Sequence, residues 1–268
     1  KPWQMTFVFV GLGGLLFAIP MLFTREPPRR GLAPTPSETD KTARRSQLVS
    51  FFADNRRMLT CHFAGFSINT MLGFGVAAWA PTFFIRIHHW APQDVGYAYG
   101  AMMAIGGLSG ALVGARIAER LARRGMEDVY FVLPMITATI NMVLFVSAML
   151  SPSAILALAL MSAGTFIGTL PLSLIMASLQ AVAPNQLRGQ LVAIFSFLAN
   201  ILGVASGPTV IALLTDYVYR DEQAIGLSMA TASLIITPIT VTILGIGRAG
   251  LRQSLARAAE LYASPASP

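Results

Sequence analysis

The 268-residue sequence predicts an all-α integral membrane protein of about seven transmembrane helices, and three observations predict it. The composition is 54% hydrophobic and only 12% charged, against about 25% charged in an ordinary soluble chain. Seven apolar runs are each long enough to cross about 30 Å of hydrocarbon at about 1.5 Å per helical residue. The basic residues gather in every second gap between those runs, as cytoplasmic loops do. The net charge of +7 therefore has a topological origin and does not call for a nucleic-acid partner.

The runs are 5–23, 58–85, 95–117, 129–150, 154–182, 191–214 and 224–246. Lys1 precedes the first, which is too long for a signal-peptide core and has no small-residue cleavage pattern after it. Residue 1 is therefore expected to be an interior position of a longer protein or a product of processing. The gap after the first run carries Arg25, Arg29, Arg30, Lys41, Arg44, Arg45, Arg56 and Arg57. Arg116, Arg120, Arg123 and Arg124 follow the third run, Arg188 the fifth, and Arg248, Arg252 and Arg257 the seventh. The alternate gaps hold only Lys1, Arg86 and Arg220. Sixteen of nineteen basic residues thus fall on one side, which places the first gap and the C-terminus in the cytoplasm.

Residues 25–57 form the only long connection. Pro27, Pro28, Pro34 and Pro36 stop a helix there, and Ser46–Asp54 reads as a short amphipathic segment at headgroup level or a plain tether. The first run (1–24) then belongs to one unit, and 58–247 forms a six-helix unit. Residues 248–268 are a cytoplasmic tail, either a second interfacial helix or a solvated basic segment.

Within the six-helix unit no Asp, Glu or Lys lies near mid-membrane, where ionisable groups usually mark ion pathways. Uncharged polar residues are present instead. On the fifth run Ser162, Thr165, Thr169, Ser173 and Gln180, with Met176, share one stripe at about 100° per residue. Lipid cannot hydrogen-bond them, so the stripe either lines a cavity or bonds to neighbouring helices and to its own backbone. On the second run His62, Phe66, Asn69, Gly73 and Ala77 share a face, with Thr70 beside it. Asn69 at mid-depth is either a solute or water contact or an interhelical bond. Asn141 and Asn200 read as packing polar groups, and Trp79 as an interfacial anchor or a gate. Glycines four apart at Gly106, Gly110 and Gly114, at Gly164 and Gly168, and at Gly203 and Gly207 permit close helix approach. Pro171, Pro208 and Pro238 interrupt helices that can bend.

No soluble-enzyme constellation is present: there is no P-loop, no His-Glu-x-x-His and no paired acids at a pocket. Gly11-Leu12-Gly13-Gly14 lies inside a span. His88-His89 lacks a third ligand, and the single Cys61 gives neither a disulfide nor a metal cluster. No catalytic residue, metal or cofactor is expected.

The stretch Ala115–Gly125, with Ile117, Glu119, Arg120, Arg123 and Arg124, resembles the loop motif of the major facilitator superfamily, Gly-x-Leu-Ala-Asp-Arg…Arg-Arg. It departs from that pattern at Ala115 and Glu119. Arg25-Glu26-Pro27 resembles the opening of that family's central loop. Trp79–Phe84 with Arg86 and Gly96 resembles its spinster-like branch, as do Gln180–Pro184, Leu187-Arg188-Gly189, Asn200, Gly203, Gly207-Pro208 and Asp216. The resemblance implies helices six to twelve of a major facilitator fold: the last helix of an N-terminal half and a C-terminal bundle of 3+3 inverted repeats.

It further implies a secondary transporter of a small organic solute, with organic anions and lipid-like molecules among the classes its relatives handle, working by alternating access in a bacterial inner membrane. Asn69, Thr70, Thr165, Thr169, Ser173 and Gln180 would face the cavity. Glu119, Arg120, Arg123 and Arg124 would form a gating loop, Glu119 meeting a helix N-terminus of the other half with Arg120 and Arg124 fixing it. The expected partners are the solute, the bilayer, the absent N-terminal half and a coupling proton bound mainly in that half. A membrane scaffold or sensor with a transporter fold but no flux is the alternative reading.

Overall fold

The computed structural model describes residues 4, 5, 7–9, 11, 12, 23, 46 and 48–263. The chain divides into two units, Lys1–Ser37 and Glu38–Pro268. In the first unit residues 4, 5, 7–9, 11 and 12 are helical; the rest of the expected first span, the central connection up to residue 45 and residues 264–268 lie outside the described residues. The second unit holds six helices long and apolar enough to cross a membrane, and the described residues contain no strand. They are α1 Arg56–His88, α2 Pro92–Arg123, α3 Val129–Met149, α4 Ala154–Val182, α5 Asn185–Tyr219 and α6 Ile225–Ala263. They match the second to seventh apolar runs in order.

Small residues decide how these helices meet. Gly106, Gly110 and Gly114 turn the α2 surface into a groove for α4. A Cβ on Gly110 would collide with the Phe166 carbonyl and the Thr169 hydroxyl, and one on Gly114 with the Leu170 carbonyl. α1 crosses α5 at Gly75, where a Cβ would lie 2.7 Å from the Gly207 carbonyl oxygen. One turn further on, the Trp79 indole N–H donates to the Pro208 carbonyl at 2.9 Å. Trp79 is thus a brace between α1 and α5.

Three helices depart from α geometry. α2 widens to a π-turn at Met103–Gly107, and α5 does so at Ala199–Ala205 and Leu214–Tyr219. α4 breaks at Leu170-Pro171, between Ala154–Thr169 and Leu172–Val182. Pro171 has no N–H to give Ile167, so the chain tightens into three-residue turns, with Leu170 N–H on Ile167 and Leu174 N–H on Pro171. The face of α4 turned to the bundle interior nevertheless runs on through the break, from Met161, Gly164 and Gly168 to Leu172 and Ile175.

The seventh run does not end at residue 246. α6 is one helix of 39 residues, about 58 Å long, and the supposed separate tail is its continuation. Leu251, Ser254 and Ala258 on that continuation are buried. They pack where residues 48–54 form the helical turn expected before α1, with Phe51, Phe52, Met58, Leu59 and Leu255 in one cluster.

Two large apolar clusters fill the bundle, with a small third one of Ala118, Val129 and Leu174 among α2, α3 and α4. One, at the end where α1 finishes, centres on Phe83, Phe84, Met161 and Met229. The other, at the arginine-rich end, centres on Met58, Phe63, Phe66, Phe131, Phe195 and Leu251. Between them, at the mid-length of α1, α3, α4 and α6, lies a cavity.

Candidate functional site

The cavity has a volume of about 420 Å³. Its wall is built where four helices carry small or polar residues at helical spacing: Asn69, Gly73 and Ala77 on α1, Thr137 and Asn141 on α3, Thr165 and Thr169 on α4, and Ser233, Thr237 and Thr240 on α6, with Phe66 one turn before Asn69. Tyr99 and Met103 of α2 close one side, Met103 at the first residue of the π-turn. Most of the remaining wall is apolar, and none of the described lining residues is an Asp, Glu, Lys, Arg or His.

Of the six residues expected to face a solute, four line this space and two do not. Asn69 lies half-buried with no hydrogen-bond partner among the described residues. Thr165 is 7% exposed, and its hydroxyl is buried without a partner. Thr70 and Thr169 also border the cavity, but their hydroxyls are engaged. Thr70 donates to the Phe66 carbonyl at 2.7 Å and Thr169 to the Thr165 carbonyl at 3.0 Å. Their outer atoms face the glycines of the neighbouring helices, Gly203 and Gly110. Ser173 and Gln180 are exposed and outside the lining; the lining face continues past Pro171 through Leu172 and Ile175, and both polar residues lie to one side of it.

Two groups of the site were not read from the sequence as cavity residues, and one residue of the α1 face lies outside it. Ser233, Thr237 and Thr240 recur at intervals of four and three, the same signal that singled out α4. Asn141, read as a packing group, lines the cavity with Thr137 four residues before it. His62 was placed on the α1 face but lies below the cavity. It is fully buried among Phe63, Phe66, Phe131 and Phe195, and one ring nitrogen is 2.9 Å from the Ile175 carbonyl. This contact ties α1 to α4 beyond the break.

The expected gating residues lie at the end of α2. Glu119 pairs with Arg123, at 2.6 Å and one turn on, both side chains being well exposed. Arg120 and Arg124, expected to fix Glu119, make no ion pair with it. Gly125, with φ of +80°, ends the helix. Its N–H bonds the Ala122 carbonyl and the Met126 N–H bonds that of Leu121, a Schellman turn that no residue with a Cβ makes as cheaply.

A stronger ionic cluster stands next to it. Asp128, 5% exposed at the start of α3, receives three hydrogen bonds on one oxygen. They come from Arg248 at 3.0 and 2.6 Å and from Arg252 at 2.8 Å. Burial alone pushes the Asp128 carboxyl up. The hydrogen bonds and charges of Arg248 and Arg252 together outweigh that and hold it below the usual carboxylate value. The Arg57 guanidinium donates to the Ile246 carbonyl at 3.0 Å, and Arg257 donates to that of Asp54. The α6 extension is thus held from two sides.

A family model described as the Major Facilitator Superfamily matches residues 2–208. A protein of Mycolicibacterium smegmatis described as an MFS-type efflux pump is 26% identical over 236 residues, covering 87% of this chain and 53% of its own length. The chain spans about half the length of that curated relative. Crystal structures of a bacterial homolog to the human lysosomal transporter Spinster share the fold. The inward-facing, unoccupied form aligns with a TM-score of 0.61 and 20% identity over 99% of this chain and 61% of that one. The inward-facing, occupied form aligns at 0.56 and 18%, over 96% and 58%.

Proposed function

The chain belongs to the major facilitator superfamily, a family of membrane transporters and not of enzymes, and from that premise we propose that it is the solute-binding C-terminal portion of a secondary transporter working by alternating access. One observation carries the reading: a cavity at mid-depth, between two apolar clusters, bordered by the unpaired polar groups of Asn69 and Thr165. A solute held there is shielded from both faces, which is what an occluded intermediate requires.

In this reading residues 1–24 are the last helix of an N-terminal half, 25–57 the central loop and 58–247 the C-terminal bundle. The remaining wall and the coupling proton site belong to the other half. The share of its relatives that the chain covers supports that division. The arginine-rich end faces the cytoplasm of a bacterial inner membrane. There Glu119 meets the other half in the outward-open state, with Arg123 as its partner within α2. The spinster-like branch is the working assignment. Its lipid-like solutes suit the apolar wall better than organic anions, for which the described wall offers no cation.

Flux tests the reading. The full-length protein in proteoliposomes, assayed against a broad solute panel, is expected to show saturable uptake or efflux. Asn69→Ala and Thr165→Val are expected to reduce it about tenfold or more with expression retained, as the loss of one buried hydrogen bond implies. Correctly folded protein without flux would favour the scaffold or sensor reading.

A further inference from the structure

Two sets stand out among the polar residues of the cavity wall by their hydrogen bonds. Thr70, Thr137, Thr169 and Ser233 donate to carbonyls of their own helices, at 2.7, 2.9, 3.0 and 2.9 Å. They present little to a solute. The Asn141 amide oxygen and the Thr165 and Thr240 hydroxyls have no hydrogen-bond partner among the described residues, although each atom is buried. Thr165 and Thr240 are 7% and 1% exposed. An unmet buried polar atom costs about 1–3 kcal/mol, and the large majority of buried side-chain polar atoms in folded proteins are paired. Three of them, on α3, α4 and α6, border one cavity.

Asn141 also packs against α4. Its amide lies over the Gly164 and Gly168 positions of α4. A Cβ on Gly164 would stand 2.8 Å from Oδ1, and one on Gly168 would stand 2.9 Å from Nδ2. The two glycines make a notch for this amide and so do more than let α3 approach. A side chain at either position would displace it.

We propose that this cavity binds an uncharged amphiphilic solute carrying N–H or O–H donors, and that Asn141, Thr165 and Thr240 are the groups that read it. The claim rests on the transport reading above and names its solute class. A full charge is disfavoured because the described wall has no counter-charge, and desolvating an unpaired ion is costly. A purely apolar solute leaves the three oxygens unmet. The size suits the class, since small-molecule sites run to about 300–1,000 Å³. The three oxygens lie just beneath the wall, so engaging them takes a rotation of each side chain toward the solute.

The test is binding, kept separate from flux. Full-length protein in lipid nanodiscs is titrated with radiolabelled decanamide, counting only saturable binding above empty nanodiscs. Unlabelled decanoate, decylammonium and methyl decanoate compete. Decanamide is expected to bind saturably, with each of the three competitors at least about tenfold weaker, the equivalent of one lost hydrogen bond or more. Thr165→Val and Thr240→Val are expected to weaken decanamide about five- to tenfold. They should also raise the thermal midpoint of the solute-free protein, because each removes an unmet hydroxyl. A merely structural hydroxyl would give a lowered midpoint instead, and that result overturns the assignment. Absence of saturable decanamide binding, or preference for either charged competitor, overturns the solute class and leaves the transport reading to its own flux assay.

Discussion

Asp128 shows how one side chain ties remote parts of the sequence together. Its carboxylate sits at the N-terminus of α3, where the helix dipole favours negative charge, and accepts from Arg248 and Arg252 on α6. The arginine side chains are about half exposed, 42% and 58%, so solvent screens part of the attraction. Asp128→Asn is expected to cost about 1–2 kcal/mol, the order of a charge-assisted hydrogen bond discounted for exposure. Thermal unfolding of the purified protein checks it. The pH dependence has a definite sign. The folded-state pKa lies below the unfolded one, so the stabilisation is complete above the ordinary carboxylate value near 3.8 and disappears as pH falls through the lowered value. The gap in midpoint between wild type and Asp128→Asn should stay constant from about pH 7 to 5 and close only in stronger acid. A gap that closes near neutrality would point to a different partner. The sequence offered both arginines and the aspartate, but 120 residues separate Asp128 from Arg248, and no local pattern joins them.

At the level of helices, the α2–α4 contact is the most demanding. Gly114 sits against the Leu170 carbonyl, at the residue where α4 loses its regular ladder. Gly114→Ala is expected to destabilise the bundle by about 1–3 kcal/mol, as overpacking does, and to lower the yield of folded protein in size-exclusion chromatography. Gly96→Ala on the same helix meets nothing within 4 Å and should leave that yield unchanged. The spacing of Gly106, Gly110 and Gly114 made the groove legible in the sequence. The stripe on α4 was legible only in part. Its cavity face runs through Met161, Gly164, Thr165, Gly168, Leu172 and Ile175, mostly small or apolar residues, so the polar residues marked one margin of it and Ser173 and Gln180 fall beyond that margin. The polar positions of α6 carried the same periodic signal as α4. Spacing says that a stripe exists, not which stripes meet across a common space, so Thr237, Thr240 and Asn141 emerged only once four helices were placed together.

For the molecule as a whole, apolar length marks the six spans and basic asymmetry predicts their direction. In a cysteine-free background of the full-length protein, His89→Cys is expected to react with a membrane-impermeant maleimide on intact cells. Arg123→Cys should react only after permeabilisation. Both side chains are exposed, so access is set by the membrane alone, and the opposite pattern would invert the orientation. The order of the spans was readable because a bilayer imposes a length and a charge rule on every segment. The reach of α6 was not, since neither rule governs a helix that continues into water. That reach makes a practical handle. The last turns of α6 are buried at Leu251, Ser254 and Ala258 and gripped by groups from two other segments. A rigid helical protein fused in register after Ala258 would therefore inherit the orientation of the bundle. It would serve as a fiducial mark for single-particle imaging of a membrane protein otherwise hidden in its micelle.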